Sequence, residues 1–176
     1  MKCSKQCLYA CNKAMKVLGM IKRTIRFKNT RVMLSLYKTL VRPHVEYCVS
    51  AWSPHYKKDR ELIEKIQRRY TKMINNIDGK SYEERLQCLK LWTLEERRNR
   101  QDLIEVFKMC NGISRLKLNE FFTLADSNIG TRGHSRKLVK FRCTRDCCKY
   151  FFSNRVINRW TSGRWKPPAS MLLKVR

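Results

Sequence analysis

No aspartate or glutamate occurs before Glu46, although eleven lysines and arginines stand in that stretch. Nothing within the segment can neutralise this charge, so it repels itself in a compact state unless a polyanion sits against it. No apolar run approaches the roughly 20 residues a membrane-spanning helix needs. The opening MKCSKQCLYACNKAMK is broken by lysines throughout, which excludes a secretory signal. The expected location is therefore intracellular, nuclear or cytoplasmic, and not secreted.

Catalytic signatures are missing too. There is no adjacent Asp-Asp, no P-loop, no G-x-S-x-G and no H-E-x-x-H. A polymerase holds two divalent metals between clustered carboxylates, whereas Asp59, Asp78, Asp102, Asp126 and Asp146 are each isolated. The adjacent pairs Glu83-Glu84 and Glu95-Glu96 fall in helix first turns, where they complement the helix dipole. His44, His55 and His134 have no evident nucleophile partner. The nine cysteines are odd in number and lack the two closely spaced ligand pairs of a zinc site. Cys3, Cys7 and Cys11 are spaced to share one helix face, and Cys143, Cys147 and Cys148 form no C-x-x-C. Free thiols are expected, with no metal, no cofactor and no catalysis by this chain alone.

What is present is a chain of 176 residues, 43% hydrophobic and 31% charged, long enough to bury a core. Its net charge of +26 is uneven. Residues 46–126 carry sixteen basic and thirteen acidic groups, whereas 127–176 carry thirteen basic groups and Asp146 alone. Basic ends around a nearly balanced middle point to RNA or DNA as partner. One cluster is Lys16, Lys22, Arg23, Arg26, Lys28 and Arg31. The other is Arg132, Arg136, Lys137, Lys140, Arg142, Arg145 and Lys149. Tyr9, Phe27, Tyr150, Phe151 and Phe152 are candidates to stack on unpaired bases, with at least one of Phe151 and Phe152 expected in the core.

Helical periodicity dominates the chain. Leu8, Cys11, Met15, Leu18, Ile21 and Ile25 define the inner face of a helix over 5–26. A second helix starts at Thr30 and runs through Met33, Leu36, Tyr37, Leu40 and Val41, to end or kink near Arg42 because Pro43 lacks an N–H. Periodicity resumes through Val45, Cys48, Val49 and Trp52 and stops at Ser53-Pro54. Trp52 reads as a core anchor, and Glu46 and Tyr47 as partners for backbone freed by the proline. Leu62, Ile63, Ile66, Tyr70, Met73, Ile74 and Ile77 predict a helix over about 57–77. The capping-box patterns at Ser81-x-x-Glu84 and Thr93-x-x-Glu96 start helices over 82–90 and 94–110. In the latter, Leu94, Leu103, Ile104, Phe107 and Cys110 face inward, with Glu95, Glu96, Arg97, Arg98 and Arg100 outward. SNIGTRGHS reads as a loop, Leu138, Val139 and Phe141 as a short strand, and Phe151 to Trp160 as a last helix.

The expected class is all-α: a bundle of about five to seven helices, one kinked at Pro43, with a basic, partly irregular C-terminal appendage. The expected parts are a helical bundle over 1–112, the appendage over 113–160 and an irregular tail over 161–176.

A run of blocks in a single order resembles one family. They are SKQC (4–7), KVLGMIKR (16–23), LYKTLVRPHVEYCVSAWSP (36–54), IEKIQRR (63–69), YEERL (82–86), LEERRNRQDLIEVFK (94–108), TRGHSRKL (131–138) and FFSNRVINRW (151–160). Together they resemble the thumb and post-thumb region of reverse transcriptases from non-LTR (LINE-type, jockey-like) retrotransposons. That resemblance implies an element that holds the template–primer duplex rather than adding nucleotides. By position it adds Arg42, Arg68, Arg69 and His134 to the contact candidates and supports Lys22, Arg23, Arg132 and Lys137. The family's metal-binding aspartates have no counterpart in these residues, and the family's Asn-Ser-Leu-Pro-like ending is replaced after Trp160 by Thr161-Ser162-Gly163-Arg164. The chain thus reads as a truncated element copy translated from an internal start. Two functions follow: a non-catalytic fragment that binds RNA or RNA–DNA duplex, or a structural or interaction remnant with no nucleic-acid role of its own, which self-associates through exposed apolar faces.

Overall fold

The computed structural model describes residues 3–125 and 137–162. It is all-helical, with no strand among the described residues. The chain divides into two compact units, Met1–Arg98 and Asn99–Arg176. This division falls inside a helix, whereas the turn expected to end the bundle, Asn111-Gly112, lies further on.

In the first unit, α1 (Cys3–Thr24) buries Cys7, Ala10, Cys11, Ala14, Leu18 and Ile21. Leu8, expected inward, is about half exposed; small Ala10 and Ala14 take the inner face and allow close packing. Asn29 caps α2 (Thr30–Leu36), its side chain accepting from the Arg31 N–H at 2.9 Å.

The helix does not stop at Pro43. It widens into a π turn, Tyr37–Val41, in which the Arg42 N–H reaches back to the Tyr37 carbonyl, and continues as α3 (Arg42–Glu46). A proline ring collides with the carbonyl four residues before it, here Thr39. The extra residue in the preceding turn gives that carbonyl room. The break comes later: Tyr47 is extended, and Cys48, at φ 54°, adopts the left-handed conformation before the short α4 (Val49–Trp52).

Helix α5 (Lys57–Thr71) ends six residues before the expected Ile77. Tight turns follow, with Asn76 left-handed at φ 69°, yet Ile74 and Ile77 remain buried. Apolar spacing alone did not distinguish this folded-back turn from continued helix. The Ser81 capping box forms as expected and starts α6 (Tyr82–Leu89). Helix α7 (Leu94–Cys110) has the predicted bounds, and the Glu96 N–H donates to Thr93 Oγ1 at 3.2 Å.

Helices α1 and α5 run parallel. Ser4 Oγ donates to Asp59 Oδ2 at 2.6 Å, Cys11 Sγ lies 3.6 Å from the Leu62 carbonyl, and Arg69 Nη1 lies 3.9 Å from Met15 Sδ. Helix α2 is antiparallel to α5: Tyr70 Oη donates to the Met33 carbonyl at 2.8 Å and Tyr37 Oη to Gln67 Oε1 at 2.5 Å. The three share one core with Trp52, Leu86, Leu89 and Leu94. The fully buried Gln67 also donates to the Trp92 carbonyl at 2.9 Å and to Tyr82 Oη at 3.0 Å. Tyr82 Oη in turn donates to Glu64, whose other oxygen accepts the Leu94 N–H at 3.0 Å. Gln67, Tyr82 and Glu64 thus satisfy one another, whereas Arg85 Nε and Arg98 Nε and Nη2 are buried without a hydrogen-bond partner among the described residues.

The second unit packs Leu103, Val106 and Met109 of α7 against Phe122, Leu138 and, from α9 (Phe152–Thr161), Phe152, Val156 and Ile157. Between α7 and α9 lie a 3-10 turn, Leu118–Glu120, and the short α8 (Asp146–Lys149). The strand expected around Leu138, Val139 and Phe141 is a single bridge between Leu124 and Leu138. Phe152 takes the core position reserved for one of the phenylalanine pair and meets Phe122 edge-on at 5.7 Å. Asp102, buried, accepts two hydrogen bonds from Arg155 at 2.8 and 3.0 Å.

Candidate nucleic-acid interface

The parallel course of α1 and α5 decides where the basic residues go. Both helices end at the same end of the first unit, and α2 begins there. Lys22 and Arg23 occupy the last turn of α1, and Arg68 and Arg69 the last turn of α5. Arg26, Lys28 and Arg31 lie in the link between α1 and α2 and in the first turn of α2. The link is tied to the end of α5 by the Asn75 N–H donating to the Lys28 carbonyl at 3.4 Å. All are exposed except Lys28, which is partly covered.

Among the described residues none of these cations forms an ion pair. Arg68 lies over the Tyr82 ring, 4.9 Å from its centroid, and so faces α6 rather than α1. The C-terminal dipoles of α1 and α5 favour cations here but leave the side-chain charge free to meet phosphate. Phe27, 88% exposed, projects from the link, and Tyr9 and Met20 are half exposed on α1.

Arg42 is not part of this cluster. It lies toward the other end of α2–α3, where Glu46 sits 3.4 Å from its Nε and also takes both Nε and Nη2 of Arg97. Glu46 therefore serves guanidinium groups rather than backbone freed by Pro43. This pairing holds the Arg97 guanidinium above its ordinary range, chiefly through the hydrogen bonds to Glu46. Trp52, 8% exposed, anchors the core as expected, its Nε1 donating to the Tyr47 carbonyl at 2.7 Å.

Arg98, expected on the outer face of α7, is 2% exposed. Burial lowers its pKa, opposed by the nearby carboxylates of Glu64 and Glu46. The thiols respond to the same interior. Cys7 is pushed well above the ordinary thiol range, first by its hydrogen bond with Cys3 and then by burial, and Cys11 is raised to about 11 by burial. Neither is a nucleophile at neutral pH.

In the second unit, Lys140 is exposed and its Nζ donates to Asn158 Oδ1 at 3.1 Å, while Lys137 is partly covered. Arg132, His134 and Arg136 lie outside the described residues. Of the stacking candidates, Phe152 is withdrawn by burial, Tyr150 is partly covered, and Tyr9, Phe27 and Phe151 stay exposed. Phe141, 59% exposed, is a further free ring, hidden in the sequence by apolar neighbours that read as a strand. Among the described residues no three His, Cys, Asp or Glu side chains are grouped to hold a metal, and no helix is long and apolar enough to cross a membrane.

Compared with protein-family models, curated proteins and solved structures, the chain matches none.

Proposed function

We propose that this chain is a non-catalytic fragment of a LINE-type reverse transcriptase that binds RNA or an RNA–DNA template–primer duplex through the basic end of its first unit. The observation that carries the reading is the gathering of Lys22, Arg23, Arg26, Lys28 and Arg31 at the end of α1, the link and the start of α2, with no carboxylate paired to any of them among the described residues. Guanidinium and ammonium groups so placed contact phosphates and release counterions, which yields affinity without sequence preference. The ordered blocks from 4–7 to 151–160 support the family reading by resemblance, and the isolated aspartates are why no nucleotide addition is assigned.

The test is a fluorescence-anisotropy titration of an RNA–DNA hybrid across a salt series, with single-stranded RNA as competitor. Replacing Lys22, Arg23 and Arg26 by alanine is expected to weaken binding to every sequence alike. The log–log salt slope should fall by roughly one unit per lost phosphate contact. An unchanged slope would refute the assignment.

A second reading draws on the apolar side chains left exposed on α1 and α2, namely Leu8, Tyr9, Met20 and Val32. On it the chain is an interaction remnant that associates with itself. Concentration-dependent sedimentation without any saturable RNA binding would select that reading.

A further inference from the structure

We propose that the second unit carries a pocket for one unpaired nucleotide, lined by Lys140, Phe141, Arg142, Cys143, Lys149 and Asn154, with the base laid on the Phe141 ring and the phosphate held by Arg142 and Lys149. The cavity measures about 300 Å³, at the small end of the range for small-ligand clefts. Its lining combines three cations, one aromatic ring and one amide, and contains no carboxylate. Phe141 keeps its ring in solvent, whereas Phe152 and Phe122 are committed to the core. An exposed ring flanked in sequence by Lys140 and Arg142 is the arrangement that stacks a base while its phosphate meets a cation.

The rest of the wall is held in place. The Asn154 side-chain amide donates to the Cys148 carbonyl at 2.8 Å and to Cys143 Sγ at 3.1 Å. Its orientation is thereby set, and its oxygen remains available to accept from a base N–H. The Lys149 ammonium lies 5.5 Å from the Tyr150 ring centroid, and Lys140 is steadied by Asn158 at 3.1 Å. Among the described residues no hydrogen bond or ion pair engages the Arg142 guanidinium. A base paired within a duplex cannot present its face to Phe141, so the ligand is a single-stranded or splayed-out nucleotide.

This inference rests on the nucleic-acid reading and adds a single-strand subsite to it. The test uses the full chain with three fluorescent probes: a short single-stranded RNA, an RNA–DNA hybrid of equal length, and inorganic polyphosphate, which has the charge but no base. Phe141→Ala is expected to weaken the single strand about five- to a hundredfold and to leave the hybrid and polyphosphate within about twofold. Phe141→Trp should restore binding. Because the ring is exposed, the far-UV circular dichroism of both variants should match the parent. Equal weakening on all three probes, or no change on the single strand, would overturn the pocket while leaving the basic end of the first unit to stand on its own charge variants. Absence of binding to every probe would remove both proposals.

Discussion

The two ends of the first helical unit both carry arginines and treat them in opposite ways. At the end holding Glu46, Asp59 and Glu95, charges are partnered: Arg97 and Arg42 on Glu46, Arg60 on Glu95, and Ser4 on Asp59. At the other end Lys22, Arg23, Arg26, Lys28 and Arg31 gather around the end of α1 and the start of α2 with no such partner among the described residues. Partnered charge fixes one helix against another. Unpartnered charge stores repulsion that an added polyanion relieves. The difference separates the part of the unit that stabilises the fold from the part available to a ligand.

That division can be broken deliberately, and the largest effect is expected at Trp52. It lies at the partnered end, where Cys3 Sγ approaches its carbonyl at 2.8 Å and its indole is nearly covered. Trp52→Ala should cost about 3–5 kcal/mol, read by denaturant unfolding. Unchanged stability would move the side chain to the surface. Next is Glu46→Ala, which leaves two partly covered guanidinium groups without their acceptor. A loss of about 1–3 kcal/mol is expected, with RNA affinity unaffected or slightly raised. The alanine variants at Lys22, Arg23 and Arg26 are the mirror image, with stability within about 0.5 kcal/mol of the parent and RNA binding impaired. If Glu46→Ala impaired RNA binding through the same salt slope, the two ends would not be functionally distinct.

The smallest effect concerns the capping box. Ser81→Ala should cost about 1 kcal/mol. The Ser81 backbone N–H and hydroxyl hold the Glu84 carboxyl below its ordinary range. A carboxylate lowered on folding contributes stability that is fully present above its unfolded pKa and lost as pH falls through the folded value. The penalty for Ser81→Ala should therefore shrink in acid. A penalty unchanged between neutral pH and pH 3 would contradict this. Tyrosines give the opposite limb: burial raises Tyr70 to about 12 and Tyr37 well above its usual value, and burial followed by the Glu64 hydrogen bond raises Tyr82. Because these groups lose protons more readily unfolded, stability should fall as pH rises past about 10. Spectrophotometric titration should show these three ionising only as the fold is lost.

Local signals were read with fair accuracy. The bounds of α7, the Ser81 capping box, the core role of Trp52 and the turn at Asn111-Gly112 all depend on residues within a few positions of one another, and pattern reports such interactions directly. Misreadings arose where a distant partner decides. Arg98 looks like one more charge on an outer face, until Cys7, Cys11, Glu46 and Glu64 are brought around it. Nothing in the sequence marks Gln67, whose amide joins Tyr37, Tyr82 and the Trp92 carbonyl. Asp102, isolated in sequence, is the buried partner of Arg155 more than fifty residues away.

The all-helical class, the helix starts and the excess of positive charge at both ends of the chain are legible in the residues alone, because propensity, capping and net charge are properties of short segments or of simple sums. Which cations stand together depends on packing. Arg69 reaches α1 at Met15 because α1 and α5 pack in parallel, Lys28 is held by the turn after α5 through Asn75, and Arg42 is taken out of the set because Glu46 reaches it. Phe141 likewise stands as a candidate base-stacking ring only because the expected strand reduces to the single Leu124–Leu138 bridge and leaves its ring exposed. These outcomes depend on contacts between residues far apart in the chain, whose register is set by packing the apolar faces together.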